Sequence, residues 1–177
     1  RGRTAQASDS IVKPDSTDKP SRGGPQISLA LYQPDIAGNT GTILRLGACL
    51  GLPVEIIEPA GFDLSDRALK RAGMDYIAMS RLIRHVDFAA FDAARRAAGR
   101  RIVLFTTRSS DIYTDFAFAP GDVVMFGRES AGVPDAIHAV ADARVTIPME
   151  GGGRSLNLAV AAGMAAGEVL RQLRWQQ

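Results

Sequence analysis

The sequence contains few of the residues that build disulfides, metal centres and membrane spans. Among its 177 residues there are one cysteine and two histidines, which excludes an internal disulfide and leaves no His/Cys cluster at metal-ligand spacing. Cys49 lies in an apolar stretch and is predicted to be a small buried hydrophobe. No apolar run approaches the ~20 residues of a membrane span, and the first residues lack the apolar core of a signal peptide. We therefore expect a cytoplasmic protein that binds no metal and no membrane.

An excess of charge of one sign is also absent. The sequence holds 21 Lys and Arg against 19 Asp and Glu, a net charge of +2. Residues 1–26 account for that excess, because they carry five basic and three acidic side chains. The remainder is neutral, so nucleic-acid binding finds no support in net charge and depends on local basic groups.

The chain divides into a polar tail and one domain. Residues 1–26 are rich in Ser, Asp, Lys, Pro and Gly, with one apolar pair at Ile11 and Val12, and are predicted to be a disordered tail. Residues 27–177 are long enough for a single domain with a hydrophobic core.

Within that domain, strand and helix patterns alternate. Strands are predicted at 27–32, 54–58, 101–107, 122–126 and 145–148, with another near Ile77; helices are predicted at 37–50, 65–72, 88–98, 134–140 and 156–174. Gly51, followed by Pro53, is expected to end the first helix. Short apolar strands that alternate with helices predict an α/β fold, a mostly parallel sheet flanked by helices on both faces.

Two glycine-containing loops near the C-terminus are the most informative feature. Residues 144–167 contain an apolar strand ending at Pro148, three glycines at 151–153, and then RSLN at the start of a helix. A second loop, FGRESAG at 126–132, lies just upstream. Loops that lead into helices present unpaired backbone N–H groups to small polar ligands. The pair predicts a cofactor site made mainly of backbone.

Familiar nucleotide-binding and hydrolytic patterns do not account for this site. The first strand is followed by QPDIAGNTG, which matches neither the dinucleotide-binding loop nor the phosphate loop of nucleotide hydrolases. His85 and His138 lie in no nucleophile–base pattern, and His138 is expected on the surface of a helix. A nucleotide-dependent oxidoreductase and a Ser-His-Asp hydrolase are therefore disfavoured.

Three segments in order carry a resemblance to a known family. They are NTGTILR at 39–45, MFGRESAGVP at 125–134, and IPM at 147–149 with RSLNL at 154–158. They resemble the three motifs of the SPOUT class of RNA 2′-O-methyltransferases. LYQPD at 31–35, IEPAGF at 57–62 and KRAGMDY at 70–76 are similar to short bacterial members that methylate the wobble nucleotide of leucine tRNAs, cytidine or modified uridine at position 34. The same chemistry on another tRNA or rRNA nucleotide, and a non-catalytic knotted RNA-binding protein, stay as alternatives.

The resemblance, which spans residues 27 to about 173, implies an architecture and a cofactor. The SPOUT fold has a deep trefoil knot in its C-terminal segment, binds S-adenosylmethionine in a bent form on the knotted loops, and functions as a homodimer. Small residues at 159–167 suit close helix packing within a knot or across a dimer. By matching motifs, the cofactor is expected to contact Phe105, Thr106, Gly127, Ile147, Met149, Ser155, Leu156 and Asn157. Ser155 is also a candidate cap of the last helix.

The resemblance also assigns the chemistry and the RNA contacts. Arg45 is expected to stabilise the developing alkoxide of the ribose 2′-hydroxyl, rather than to act as a base, because a guanidinium resists deprotonation. Asn39 is predicted to cap the first helix and to order the site, and Glu129 to orient Arg45 or to hold the loops near the cofactor. Candidate phosphate contacts are Lys70, Arg71 and Arg154, with Arg67, Arg81 and Arg84 nearby in sequence.

Two residues depart from the pattern of the closest members of that family. Gly167 stands where those members carry a Tyr in a region associated with substrate recognition, which bears on the choice of nucleotide. Arg128 stands where a Pro is common between the glycine and the glutamate of the second motif.

Overall fold

The computed structural model describes residues 26–65, 67–68 and 80–175. The elements in order are β1 (Ser28–Tyr32), α1 (Ala37–Leu50), β2 (Val54–Ile57), β3 (Leu82–His85), α2 (Phe88–Ala97), β4 (Ile102–Phe105), β5 (Val123–Phe126), α3 (Asp135–Val140), β6 (Ala143–Val145) and α4 (Leu158–Leu173). The predicted tail except Gln26, the predicted strand near Ile77, and both Lys70 and Arg71 lie outside the described residues.

Six strands form one sheet in the order β3-β2-β1-β5-β4-β6, and each neighbouring pair is parallel. This confirms the predicted parallel sheet with helices on both faces. β1 shows why both faces are covered, since Leu29 and Leu31 join the core beneath α1 and α4, while Ala30 and Tyr32 join the core that contains Phe91 of α2. Strands buried on both faces read as continuous apolar runs.

The order of the strands places a crevice at the centre of the sheet. The chain passes from β1 outward to β2 and β3, and then returns to the other side of β1 with β4, β5 and β6. Loops at the carboxyl ends of neighbouring strands diverge where the strand order reverses, and ligands of open α/β sheets bind there. A ligand-binding site is therefore expected at the carboxyl ends of β1, β5 and β4.

The capping residues of both long helices differ from the prediction. α1 begins after Ile36, which makes no side-chain cap, and Asn39 lies within the first turn; the prediction that Asn39 caps α1 is wrong. α4 begins after Asn157, whose Oδ1 accepts hydrogen bonds from the N–H groups of Ala159 and Val160 at 2.9 and 3.3 Å. Ser155 therefore does not cap α4, because Asn157 already takes the free donors of its first turn.

Two further predictions fail for reasons of packing. The last strand ends at Val145 rather than at Pro148, so Ile147 and Met149 lie in an irregular segment beside it. Cys49 is exposed rather than buried. The buried positions of α1 are Thr40, Ile43, Leu44 and Gly47, and this periodicity turns Cys49 away from the sheet. None of the helices within the described ranges is long and apolar enough to cross a membrane.

Candidate active site

A cavity of about 550 Å³ lies at the carboxyl ends of β4 and β5, beside the reversal of the strand order. Its walls come from the ends of these strands, the loop 127–132, the segment after β6 and the start of α4. The lining contains every predicted cofactor residue and three other predicted site residues: Phe105, Thr106, Gly127, Ile147, Met149, Ser155, Leu156 and Asn157, with Asn39, Glu129 and Arg154. The fold thus brings together segments separated by more than a hundred residues.

The loop 127–132 closes tightly on itself. Arg128 and Gly132 exchange two backbone hydrogen bonds, each 2.9 Å long, and Gly132 adopts a positive φ of 64°. A Cβ on Gly127 would lie 2.5 Å from the carbonyl carbon of Gly132. Glycine is required at 127 because the backbone of the same loop occupies the space that a side chain would need. Close approach of a ligand, the reason expected from the sequence, is not needed to explain it.

Glu129 holds the start of α1 from a different loop. Its carboxylate accepts hydrogen bonds from the N–H groups of Asp35 at 2.8 Å and Ile36 at 3.3 Å, and from Asn39 Nδ2 at 3.3 Å. The first N–H groups at a helix start have no partner within the helix and attract negative charge. Glu129 thus bonds to the two residues before α1 and to the side chain of Asn39, whereas no side chain caps α1 itself. These contacts match the hypothesis that Glu129 holds the loops, whereas the orientation of Arg45 by Glu129 stays a prediction.

Two amide side chains join the three motif segments. Asn157 Nδ2 donates to Asn39 Oδ1 at 3.0 Å, and Asn39 Nδ2 donates to Glu129 Oε1 at 3.3 Å. Because Asn157 Oδ1 accepts from α4, each amide both donates and accepts, which fixes its orientation. This Asn157–Asn39–Glu129 relay connects α4, α1 and the loop 127–132 at the cavity.

Arg45 does not line the cavity. It lies on the exposed side of α1, and the residues that line the cavity do not include it. The structure therefore brings Asn39 and Glu129 together and leaves Arg45 outside the lining, so its role stays a prediction.

Asp35 and Arg128 form an ion pair that the sequence did not reveal. Arg128 Nε and Nη2 lie 3.1 and 2.5 Å from Asp35 Oδ1, and Ser130 donates its N–H and Oγ to Asp35 Oδ2 at 3.1 and 2.6 Å. The hydrogen bonds from Arg128, and next those from Ser130, lower the pKa of the Asp35 carboxyl to about 2. More than ninety residues separate the partners, so no local pattern indicates the pair.

Other titratable groups stand at the rim of the cavity. His138 lies on α3 and is partly exposed, as predicted, and it also lines the cavity; burial together with the charge of Arg108 lowers the pKa of its imidazole. Arg108 pairs with Asp135 at 2.7 Å. Arg154 is exposed at the rim and makes no ion pair within the described part of the chain. The same part holds no group of three or more His, Cys, Asp or Glu suited to a metal ion.

The sequence is similar to a family of characterised proteins. Residues 26–167 match the SpoU rRNA Methylase family. The chain is 61% identical over 145 residues to the tRNA (cytidine(34)-2'-O)-methyltransferase of Beijerinckia indica, covering 82% of this chain and 91% of that relative. It is 38% identical over 149 residues to the protein of the same name from Escherichia coli, covering 83% and 94%.

Solved structures share the fold. One, described as structural insights into the 2-OH methylation of C/U34 on tRNA, superposes with a TM-score of 0.79 at 44% identity, covering 87% of this chain and all of that one. An AdoMet-bound rRNA methyltransferase from Sinorhizobium meliloti gives a TM-score of 0.75 at 29% identity, covering 84% of this chain and 57% of that one. By sequence and by fold, the chain belongs to the SpoU rRNA Methylase family of SPOUT methyltransferases.

Proposed function

We propose that this protein transfers the methyl group of S-adenosylmethionine to the ribose 2′-hydroxyl of nucleotide 34, cytidine or a modified uridine, in leucine tRNAs. The observation that carries the proposal is the Asn157–Asn39–Glu129 relay at the edge of the cavity. It joins the three motif segments into one site, and a chain that only binds RNA has no need of it. Two relatives, 61% and 38% identical, are named as tRNA methyltransferases, which supports tRNA rather than rRNA as the substrate. The proposed place of action is the cytoplasm.

The cavity suits the proposed cofactor in size and in chemistry. Binding sites for small molecules are mostly apolar, with a few placed polar groups. Phe105, Ile147 and Met149 offer apolar walls for an adenine ring, and the loop 127–132 offers backbone groups. The carboxylate of Glu129 lies in the same lining, where negative charge favours a cationic ligand. When bound, S-adenosylmethionine supplies an electrophilic methyl group on a sulfonium.

Catalysis is assigned to Arg45, with Asn39 and Glu129 in support. A ribose hydroxyl is a weak acid, and its oxygen gains negative character as it attacks a methyl group. A guanidinium beside that oxygen, here the one of Arg45, would stabilise the developing negative charge. Glu129 bonds to the side chain of Asn39, in the first turn of α1, and to the N–H of Asp35 just before that helix, so both residues position the helix that carries Arg45.

A homodimer is proposed from an apolar stripe beside the cavity. Val160 and Met164 lie one turn apart on α4 and are 52% and 40% exposed, and Leu156, just before that helix, is 38% exposed. Ile36, 50% exposed, precedes α1, whose start adjoins that of α4 through the Asn157–Asn39 contact. Contiguous exposed apolar surface marks sites of protein association. A second copy of the chain is the partner proposed for this stripe.

Local basic groups are proposed to bind the tRNA. Arg154 stands exposed at the cavity rim, where a phosphate next to the target ribose would pass. Lys70 and Arg71 are proposed to bind further phosphates. Each cation that binds a phosphate releases about one counterion. Removing one such cation therefore reduces the slope of log affinity against log salt concentration by about one. Charge reversal at Lys70 and Arg71 that leaves tRNA affinity and its salt slope unchanged would exclude them.

The function is tested with labelled S-adenosylmethionine and total tRNA from a strain that lacks this protein. Nucleoside mapping is expected to find 2′-O-methylation at nucleotide 34 of leucine tRNAs. Methylation confined to a base or to rRNA overturns the substrate assignment, and no transfer to any RNA favours the non-catalytic alternative. An Arg45→Ala protein with full turnover removes Arg45 from the mechanism.

A further inference from the structure

Asp35 and the loop 127–132 hold each other in both directions. The carboxylate of Asp35 accepts hydrogen bonds from Arg128 and Ser130, while the carboxylate of Glu129 accepts one from the N–H of Asp35 at 2.8 Å. Three consecutive loop residues, 128 to 130, therefore bond to the turn that precedes α1. A single hydrogen bond lets two loops pivot, whereas contacts in both directions fix their separation and their relative orientation.

A third segment also contacts this turn. Gly61 donates its N–H to the carbonyl oxygen of Pro34 at 2.8 Å, and a Cβ on Gly61 would lie 3.0 Å from the Cα of Asp35. The backbone of residue 61 therefore packs closely against Asp35. The Arg128 pair and the contact with Gly61 together restrict the turn that precedes α1.

The exposure of the Asp35–Arg128 pair indicates a role other than stability. The side chains of Arg128 and Asp35 are 38% and 19% exposed. Ion pairs this accessible to water add little to folding stability. They still select one geometry when several donors converge on one carboxylate, as Arg128 and Ser130 do here.

We propose that Asp35 and Arg128 are positioning residues for methyl transfer, because their pair sets α1, with Asn39 and Arg45, against the loop that lines the cofactor cavity. The inference rests on the proposed function. Small displacements of groups around a reacting centre are costly in rate. Breaking the pair acts on turnover, since Phe105, Ile147 and Met149 of the cavity lie on other segments and the backbone bonds between residues 128 and 132 still close the loop.

The test compares two Arg–Asp pairs of the same chain. Arg128→Gln removes the positive charge beside Asp35, and Arg101→Gln removes that beside Asp122 at the other end of the sheet, where two 2.8 Å hydrogen bonds form the pair. Arg128→Gln is expected to lower kcat about tenfold, with little change in the affinity for S-adenosylmethionine measured by calorimetry. Arg101→Gln is expected to lower the melting temperature and to leave kcat unchanged.

Three further variants separate positioning from general damage. Arg128→Lys keeps a charge that can reach Asp35 Oδ1 and is expected to recover most of the lost kcat. Asp35→Asn is expected to lower kcat as Arg128→Gln does, and the double variant to be no slower than either single one, because residues that act as a unit are not additive.

Three results would overturn the inference: wild-type kcat in Arg128→Gln, no recovery in Arg128→Lys, or multiplied losses in the double variant. A wild-type protein that transfers no methyl group to tRNA contradicts the proposed function instead. In that case calorimetry of S-adenosylmethionine in the four single variants still reports on the loop, and weakened binding in Arg128→Gln alone contradicts a positioning role for the pair.

Discussion

The two ends of the sheet carry polar clusters of opposite character. Near the amino ends of β1, β2 and β4 lie Ser28, Glu55 and Arg100, and His85, the last residue of β3, also bonds to Glu55. We call these four residues the amino-end cluster; Glu55 is 3% exposed and bonds to the other three residues at 2.6 to 2.8 Å. At the carboxyl end, Asp35, Asn39, Arg128, Glu129 and Asn157 form the carboxyl-end cluster, which is partly open to water. One cluster lies on strands and their immediate flanks, and the other bridges loops and helix starts.

This difference separates stability from function. Burial alone would raise the pKa of the Glu55 carboxyl, but the hydrogen bond from Ser28 and the charge of Arg100 outweigh it, and the pKa lies below its usual value. A buried charge that loses its partner is costly, so the amino-end cluster contributes to folding. The carboxyl-end cluster surrounds the cavity, where orientation matters more than the free energy of unfolding.

The largest expected effect comes from the amino-end cluster. Glu55→Ala leaves Arg100, whose side chain is 15% exposed, without its carboxylate. We expect the free energy of unfolding to fall by about 3–5 kcal/mol, measured by urea denaturation. Methyl transfer per folded molecule should be retained at a temperature where the variant is folded.

Glu58→Gln is the matched control, because Glu58 pairs with Arg84 at the surface, with side chains 27% and 44% exposed. It should cost less than about 1 kcal/mol. Equal losses in the two variants would show that burial does not distinguish the amino-end cluster.

A second expected effect is confined to the loop 127–132. Gly127→Ala places a Cβ 2.5 Å from the Gly132 carbonyl carbon, so the loop must open. Overpacking of this kind costs about 1–3 kcal/mol, and the cavity wall moves with it. Calorimetry should show a large loss of affinity for S-adenosylmethionine. Gly151→Ala, which has no atom within 4 Å of its added Cβ, should bind normally; equal losses would mean that loop closure is not the cause.

The sequence predicted β1, β2, β4 and β5 closely, but it predicted no strand at 82–85, where β3 lies, and it did not predict the junctions. Helix α1 was predicted with its observed bounds, since Gly51 adopts the left-handed conformation that ends a helix. Asn39 was misassigned as its cap because the Asn39 side chain bonds instead to Glu129 and Asn157, 90 and 118 residues away in the chain. Local patterns carry no information on such a contact until the fold brings the two segments together.

The residues of the candidate site likewise divide into those that the sequence predicted and those that it did not. Motif resemblance identified residues of the cavity lining from Phe105 to Asn157, because each lies in a segment with its own pattern. It missed His138, which lines the cavity, and the Asp35–Arg128 pair, whose partners lie 93 residues apart. It also could not show that Arg45 lies outside the lining, since that depends on how α1 packs on the sheet.

A third, smaller effect distinguishes two roles of Asn157. Asn157→Asp keeps an oxygen that caps α4, and a negative charge favours a helix start, so the melting temperature should hold. The variant loses the Nδ2 donor to Asn39 and hence the relay. We expect methyl transfer to fall about tenfold or more, measured as initial rates with saturating tRNA. Asn157→Ala, which removes the cap as well, should lower both quantities; unchanged rates in Asn157→Asp would mean that the relay is dispensable.

The smallest expected effect concerns the protonation of the carboxyl-end cluster. The pKa of Asp35 is lowered from 3.8 to about 2, so its contribution to folding is present above about pH 4 and is lost as the pH falls toward 2. Carboxyl carbon shifts in labelled protein should show Asp35 ionised at pH 3. In Arg128→Gln the midpoint should rise toward the ordinary value, because the hydrogen bond and charge that lower it are gone, and stability should then depend less on pH in that window. If the midpoint does not move, Ser130 rather than Arg128 keeps Asp35 ionised. The exposed Asp35–Arg128 pair is then not what distinguishes the electrostatics of the carboxyl-end cluster from those of the amino-end cluster.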